Sequence, residues 1–244
     1  MLRNPTLEKL IGLRLHGMAE SLREQINKKE YSELMFEERL GIMIDREMLE
    51  RQNRMLKTRL AQSKLKLRAC VEDIDYKARR GLDKSLIKLL ATGKWMQECL
   101  NVLITGPCGV GKSFIACALG HRACMNGLKV FYVRSIRLTE DLILARGDGR
   151  YPKLLNKLSK MDLLIIDDWG LSTLSDQEAR DFLEIFEDRH NVHSTIITSQ
   201  LPVDNWHETI KNPTLADAIL DRIIHNSYKI KLEGESMRKK RGLM

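Results

Sequence analysis

A glycine-rich stretch near the middle of the chain constrains the fold more than any other segment. An apolar run over 101–106 leads into it, and a helical pattern over about 112–126 follows it. A strand, a loop of the form Gly-x-x-x-x-Gly-Lys-Ser and a helix, in that order, build a loop that cradles phosphate groups. The expected phosphate-contacting residues are Gly106, Pro107, Cys108, Gly109, Val110, Gly111, Lys112, Ser113 and Phe114. The chain is therefore expected to bind a nucleoside triphosphate.

Each residue type in this loop has a physical task. Glycines let the backbone curl so that its N–H groups and the start of the following helix face the β-phosphate. Lys112 is then placed to reach the β- and γ-phosphates, and the Ser113 hydroxyl is placed to ligate Mg²⁺. We therefore expect ATP and Mg²⁺ as cofactors.

Two adjacent carboxylates, Asp167 and Asp168, follow a second buried-strand pattern that begins at Leu163. Carboxylates at the C-terminal edge of a parallel strand suit a metal site and a water-activating base. We expect Asp167 to hold Mg²⁺ through its hydration shell and Asp168 to polarise the attacking water. In an alternative interpretation Asp168 caps a helix, because the second acid in such enzymes is more often Glu.

Short apolar runs alternate with helical patterns after about residue 80, which indicates an α/β fold with a parallel sheet and crossover helices. The strand between the phosphate loop and the acidic strand along the chain is expected to lie between them in the sheet as well. That order favours the additional-strand class of P-loop ATPases over kinases of small nucleotides. The predicted strands are 101–106, 130–135, 162–167, 194–199 and 228–233. The predicted helices are 112–126, 136–146, 151–160, 176–190 and 214–225.

The N-terminal region is predicted to be helical throughout. Proline at a first helical position and regularly spaced apolar residues indicate one amphipathic helix over 5–22. Ser32 is expected to cap a second, longer helix, whose stretch over 46–68 is the most basic part of this region. We expect a helical domain at 1–78, for assembly or DNA contact, and an ATPase domain at 79–244.

The overall charge points to a polyanionic partner. Lys and Arg number 41 against 33 Asp and Glu, for a net charge of +8, and nucleic acid is the first candidate. A solvated basic surface is the alternative. The five cysteines form no Cys-x-x-Cys pair, which fits a reducing cytoplasm. Because no apolar run is long enough to span a bilayer, we expect no membrane partner.

The predicted strand over 194–199 ends in hydroxyl side chains at the level of the phosphates. A hydroxyl there can sense the γ-phosphate or position water. Ser199 is the expected residue and Thr198 the alternative.

Arg222 lies on the apolar side of the predicted helix over 214–225. It either pairs with an internal acid such as Asp217 or Asp221, or reaches a neighbouring subunit as an arginine finger. The sequence leaves both interpretations open.

Several of these motifs together resemble the AAA+ ATPases of the IstB and DnaC type. The resemblance rests on the strand order, the paired carboxylates, the Thr198-Ser199-Gln200 strand end and Asp221-Arg222-Ile223. The N-terminal segments over 13–19, 36–41 and 73–76 are similar to IstB transposition helpers specifically, whereas helicase loaders of the DnaC type carry a different N-terminal domain.

The resemblance implies an ATP-dependent oligomer that assembles on double-stranded DNA, selects or remodels a target and stimulates a partner transposase. By position, the resemblance makes Lys112 and Ser113 the Walker A residues and Asp167 and Asp168 the Walker B pair. It also makes Ser199 the sensor 1 residue and Arg222 the arginine finger. The stretch over 135–160 matches the family's DNA-facing insertion. The expected DNA-contacting residues of this insertion and of the N-terminal helix are Arg134, Arg137, Arg146, Arg150, Lys153, Arg54 and Lys57.

Only eleven residues follow the last predicted strand, so no C-terminal helical lid is expected and Arg238 is the remaining sensor 2 candidate. Three other functions stay open from the sequence. They are a DnaC-like replicative helicase loader, a small-molecule kinase and a nucleotide-gated scaffold that barely hydrolyses ATP.

Overall fold

The computed structural model describes residues 5–237, so the sensor 2 candidate Arg238 lies outside the described residues. The chain forms two compact units that divide between Thr58 and Arg59, within one helix, and each unit is described by itself. The boundary expected at 78/79 concerns independently folding domains and stays a prediction. Within the described residues no helix is long and apolar enough to cross a membrane.

The first unit contains α1 (Pro5–Gly12), α2 (His16–Asn27), a 3₁₀ turn (Lys29–Glu33) and the first part of α3 (Phe36–Ser63). The prediction of one helix over 5–22 is wrong. The chain leaves α1 after Gly12, and Arg14 adopts a left-handed φ of 59°, which a continuous helix does not allow. The apolar spacing alone did not show this break.

Contacts between α2 and α3 explain where α2 begins. The Glu47 carboxylate accepts hydrogen bonds from the backbone N–H groups of Gly17 (2.7 Å) and Met18 (3.3 Å), so a negative charge caps the helix N-terminus. A Cβ atom at Gly17 would lie 2.7 Å from the Arg46 carbonyl oxygen, so only glycine permits this approach. The expected cap Ser32 is wrong, because its hydroxyl donates to the Lys29 carbonyl and α3 begins later.

The second unit is built on a five-stranded parallel sheet of β1 (Asn101–Thr105), β2 (Val130–Arg134), β3 (Leu163–Trp169), β4 (Ser194–Ser199) and β5 (Ser227–Lys231). The strand order is β2-β3-β4-β1-β5. This confirms the predicted α/β P-loop fold with helices flanking the sheet. Each predicted strand lies within two residues of the observed one.

The expected position of β2 is wrong. It lies at the edge of the sheet, and β4 is the strand inserted between β1 and β3. The additional-strand class is therefore correct, although a different strand provides the insertion. Strand order depends on how crossovers pass over the sheet, and buried apolar runs of similar composition carry no signal for it.

Seven helices in the described part of the second unit accompany the sheet: α4 (Lys84–Ala91), α5 (Lys94–Gln97), α6 (Lys112–Met125), α7 (Ser135–Gly147), α8 (Tyr151–Ser159), α9 (Asp176–Arg189) and α10 (Pro213–Ile224). Two of them begin at clear local signals. Ser175 and Glu178 form a capping box at α9, and the Asn212 side chain caps α10 directly before a proline.

An aromatic cluster packs α9 against the sheet. Trp169, at the end of β3, meets Phe182 edge-to-face with 4.9 Å between ring centroids, and it also contacts Phe186 and Trp206. All four rings are buried. The carboxyl end of β3, which carries the paired aspartates, is therefore held by a rigid core.

Candidate phosphate-binding site

The loop between β1 and α6 has the backbone shape that its glycines predict. Gly106, Gly109 and Gly111 have φ values of 144°, 83° and 102°, which L side chains rarely adopt. A Cβ atom at Gly109 would lie 2.1 Å from the Ser236 hydroxyl, and one at Gly111 would lie 2.4 Å from the Arg80 guanidinium. The loop is thus a close-fitting cradle at the N-terminus of α6.

Lys112 begins α6, and its side chain folds back over this loop. Its ammonium donates to the carbonyl oxygens of Gly106 (2.7 Å) and Pro107 (2.8 Å). The helix N-terminus and the ammonium together concentrate positive charge at one point. This is the arrangement that a phosphate group requires.

The Asp167 carboxylate is fully buried beside the loop, where three hydroxyl groups donate to it. Ser113 donates at 2.8 Å, and Tyr132 and Thr198 donate from the neighbouring strands. Burial and the hydrogen bond to Asp167 raise the pKa of Tyr132, so its hydroxyl stays a donor. A serine hydroxyl beside a carboxylate is a set of hard oxygen ligands, and it fits Mg²⁺.

Asp168 faces the cleft beside Asp167. It lies inside β3, at an irregularity of the register, with a left-handed φ of 64°. Its carboxylate pairs with the Arg134 guanidinium at 3.1 Å, and its backbone N–H donates to the Thr198 hydroxyl at 3.1 Å. The alternative that Asp168 caps a helix is therefore wrong.

Of the two hydroxyl residues at the end of β4, Thr198 faces the carboxylates and Ser199 does not. The Ser199 hydroxyl donates to the Trp169 carbonyl at 2.8 Å and accepts from the Leu201 N–H at 3.1 Å, so it faces away from the carboxylates. Thr198, the alternative, touches both Asp167 and Asp168. The structure therefore does not bring Ser199 to the carboxylates, as was expected, and places Thr198 there instead; the sensing role itself stays a prediction.

A cleft of about 480 Å³ opens at this point of the second unit. Sequence reasoning missed several residues of its walls, because they come from segments without a recognisable motif. The lining residues are Lys66, Leu67, Asp73, Asp75, Arg80, Cys108, Gly109, Gly111, Lys112, Ser113, Phe114, Arg134, Asp168, Leu171, Gln200 and Met237. Six of the nine predicted phosphate-contacting residues thus line the cleft, together with Asp168.

Arg80 contacts the phosphate loop through its buried side chain. Its guanidinium is buried and donates to the carbonyl oxygens of Val110 (2.8 Å) and Asp75 (2.9 Å). Burial lowers the pKa of Arg80. A side chain at Gly111 would displace this guanidinium, which explains why the loop needs glycine there.

Arg222 lies apart from the cleft, on α10. Its guanidinium pairs with Glu187 of α9 and donates to the Ala218 carbonyl at 2.7 Å. The expected internal partners, Asp217 and Asp221, instead pair with His207 and His225. Arg222 thus pairs with an acid of its own chain, as one of the two interpretations expected, but the acid is Glu187 and neither Asp217 nor Asp221.

Four of the five cations predicted on the insertion form ion pairs inside the chain. Arg137 pairs with Glu140 and Asp141, and Arg150 pairs with Asp148. Arg134 pairs with Asp168, as described above. Ion pairs as exposed as those of Arg137 and Arg150 are weak, so contact of these residues with DNA stays a prediction.

Arg146 is the most firmly held of these four cations. It pairs with the buried Asp181 and stacks 3.8 Å from the Tyr151 ring centroid. The fifth cation, Lys153, is exposed on α8 and shares a shallow surface cavity with Lys157 and Lys160. None of these three lysines forms an ion pair with an acid in the part of the chain that the structure describes, in contrast to the four arginines.

The two cations predicted on the N-terminal helix, Arg54 and Lys57, are exposed on α3. They belong to the first unit, whereas the insertion belongs to the second. Two separate basic surfaces therefore remain as candidates for contact with DNA.

Comparisons with known proteins agree with this geometry. A family model described as "IstB-like ATP binding protein" matches residues 8–243. An insertion sequence ATP-binding protein of Sinorhizobium fredii, y4pL, is 51% identical over 98% of each chain. The IS1162 ATP-binding protein of Pseudomonas fluorescens is 47% identical over 83% of this chain and 88% of its own length.

Solved structures share the fold at low sequence identity. DnaI matches with a TM-score of 0.58 and 21% identity, over 68% of this chain and 91% of its own. AMPPCP-bound DnaA from Aquifex aeolicus matches with a TM-score of 0.57 and 18% identity, over 73% of this chain and 54% of its own. The second unit therefore has the AAA+ P-loop fold.

Proposed function

Because the chain belongs to the family of IstB-like ATP-binding proteins, we propose that it hydrolyses ATP and uses the nucleotide cycle to act on duplex DNA for a partner transposase. One observation carries the hydrolytic part of this proposal. The Ser113 hydroxyl, the buried Asp167 carboxylate and the cleft-facing Asp168 carboxylate meet beside the phosphate loop.

Each of these groups has a definite task in the proposed reaction. Lys112 and the loop N–H groups hold the phosphates, and Ser113 with Asp167 holds Mg²⁺. When bound, Mg²⁺ neutralises charge on the β- and γ-phosphate oxygens. Asp168 orients the attacking water and accepts its proton, and the Thr198 hydroxyl joins the Asp167 carboxylate to the Asp168 backbone. An Asp at this position has a shorter reach than Glu, but the Asp168 side chain lines the cleft.

The DNA and transposase parts rest on the relatives. Their names place them in insertion sequences, and the family match includes most of the N-terminal region as well as the ATPase core. A DnaA structure with a similar fold is bound to AMPPCP and single-stranded DNA. The DnaC helicase loader matches at 20% identity, which concerns the fold alone, so transposition assistance is favoured over helicase loading.

We also propose that the protein works in the cytoplasm as an oligomer in which Arg222 serves a neighbouring active site. The Arg222 side chain retains 26% exposure, and its partner Glu187 retains 58%. An ion pair this exposed contributes only about 0–1 kcal/mol, so exchange of Glu187 for a phosphate costs little. The N-terminal domain at 1–78 would supply assembly or DNA contacts.

Duplex binding measured against salt concentration tests the DNA part. We expect sequence-tolerant binding that ATP strengthens, with a steep fall in affinity as salt rises, because phosphate contacts release counterions. Lys153→Gln with Lys160→Gln should flatten the log-affinity versus log-salt slope by about 1.8 if both lysines touch phosphates.

The double variant Arg54→Gln and Lys57→Gln is the matched control for the other basic surface. A slope change in this variant alone would move the DNA surface to α3. Salt-independent binding by the unmodified protein would contradict contact through phosphates, and absence of duplex binding would contradict the DNA proposal. A pull-down against a transposase and a replicative helicase then separates transposition assistance from helicase loading.

A further inference from the structure

Lys66 is a second lysine at the phosphate site, and it comes from the segment between α3 and β1. It lines the same cleft as Lys112, and its ammonium lies 3.8 Å from the Asp167 carboxylate. In the sequence it was one cation in the basic stretch over 46–68, where DNA contact was the natural expectation. The structure instead directs it toward the nucleotide cleft.

The segment that carries Lys66 is fixed to α6, the helix that starts at the phosphate loop. The Cys117 thiol of α6 contacts the backbone of Lys66 and Leu67. The Leu65 side chain packs against Gly120 of α6, where a Cβ atom would lie 3.0 Å from Leu65. Ala69 is fully buried. These contacts fix the backbone of Lys66 relative to the phosphate loop. The backbone of an ordinary surface lysine has no such fixed position relative to a ligand site.

The Lys66 ammonium is attracted to Asp167 without being hydrogen-bonded to it. A separation of 3.8 Å is too long for a hydrogen bond, and three hydroxyls already donate to this carboxylate. An ammonium has three donors on a flexible stem. Its side chain is 41% exposed, so reorientation toward a ligand in the cleft costs little.

We propose that Lys66 binds the terminal phosphate oxygens of the nucleotide, as a second phosphate-contacting lysine beside Lys112. This rests on the proposed function, in which the cleft holds Mg²⁺ and ATP. Ser113 and Asp167 would hold the metal beside the terminal phosphates, and an ammonium within 4 Å of Asp167 would be in reach of the phosphate oxygens there. A contact at this end favours ATP over ADP.

A competing account makes the opposite prediction. If Lys66 only neutralises Asp167 and must leave before Mg²⁺ binds, its removal would raise the affinity for Mg²⁺ and ATP. If Lys66 merely supports the fold, its removal would weaken ATP and ADP equally.

The experiment is calorimetric titration of ATP and of ADP, each with Mg²⁺ and with EDTA, into the full chain. Lys66→Met keeps the apolar stem and removes the charge. It should weaken ATP about tenfold, equal to about 1.4 kcal/mol, and ADP by less than about threefold. Lys66→Arg should restore most of the ATP affinity, and the ATP loss in Lys66→Met should persist with EDTA.

Arg68→Met is the matched control, because Arg68 is exposed on the same segment and does not line the cleft. It should bind both nucleotides as the unmodified protein does. Unchanged ATP affinity in Lys66→Met, a gain, or equal losses of ATP and ADP would each overturn the proposal. Since only binding is measured, failure of ATP hydrolysis leaves this result intact, whereas an unmodified protein that binds no ATP overturns both proposals.

Discussion

Replacing the Thr198 hydroxyl tests the corrected assignment at the end of β4. Thr198→Val keeps the shape of the side chain and removes its two contacts, the hydrogen bond to the Asp167 carboxylate and the one from the Asp168 N–H. We expect ATP to bind and turnover to fall, because the Asp167 carboxylate and the Asp168 backbone lose the hydroxyl that joins them.

The magnitude follows from the kind of bond that is lost. A hydrogen bond to a buried charged group contributes about 1.5–3 kcal/mol, and an unsatisfied N–H costs about 1–3 kcal/mol more. Together these costs are about 2.5–6 kcal/mol, which all but the least stable domains in the usual range of about 5–15 kcal/mol survive, so denaturant curves must show that the variant folds. If about 2.7 kcal/mol of this lost stabilisation raises the free energy of the transition state for hydrolysis, turnover falls about 100-fold.

Two matched variants isolate the effect. Ser199→Ala removes neutral hydrogen bonds to Trp169 and Leu201, and it should leave turnover within about threefold. Thr195→Val makes the same substitution on the same strand, where the hydroxyl accepts from Arg189 at 3.2 Å, and it controls for lost stability. Phosphate release at saturating ATP is the assay, with denaturant curves for each variant. Full activity in Thr198→Val with a large loss in Ser199→Ala would refute the assignment.

Two other predictions concern an interface and the buried carboxylate. Arg222→Ala should bind ATP normally and hydrolyse it about 10³-fold more slowly, and mixing it with the Lys112→Ala protein should restore activity, whereas Glu187→Gln alone should stay active. No recovery in an assembly shown to be mixed would favour a purely internal role for Arg222. Tyr132→Phe should lower the free energy of unfolding by about 1.5–3 kcal/mol, because the buried Asp167 loses a donor, whereas Tyr228→Phe on β5 should change it little. Equal unfolding midpoints for the two tyrosine variants in denaturant titrations would contradict this account.

Much of the fold was predictable because its signals are local. The strand, glycine loop and helix around Lys112 are contiguous in sequence, and the buried strands are short apolar runs bounded by turns. The break after Gly12 was missed, since apolar spacing continues through the non-helical residues 13–15, which include the left-handed Arg14.

The site was predictable as far as its motifs extend. Choosing between Thr198 and Ser199 requires the register of β3 on β4, in which Ile166 pairs with Ile197 and so brings the next residues, Asp167 and Thr198, side by side. That register is a long-range property. The positions of Lys66 and Arg80 depend on the path of a linker around α6, for which the sequence carries no pattern.

Nucleotide binding and phosphate release, measured side by side for the unmodified, Lys112→Ala and Asp168→Asn proteins, test the central claim most directly. We expect Lys112→Ala to abolish ATP binding, because it removes phosphate contacts. We expect Asp168→Asn to bind ATP like the unmodified protein and to lose most of its turnover, because only the water-orienting group is changed. Equal loss of nucleotide affinity in both variants, or unimpaired phosphate release by Asp168→Asn, would contradict the claim that this cleft is a hydrolytic site.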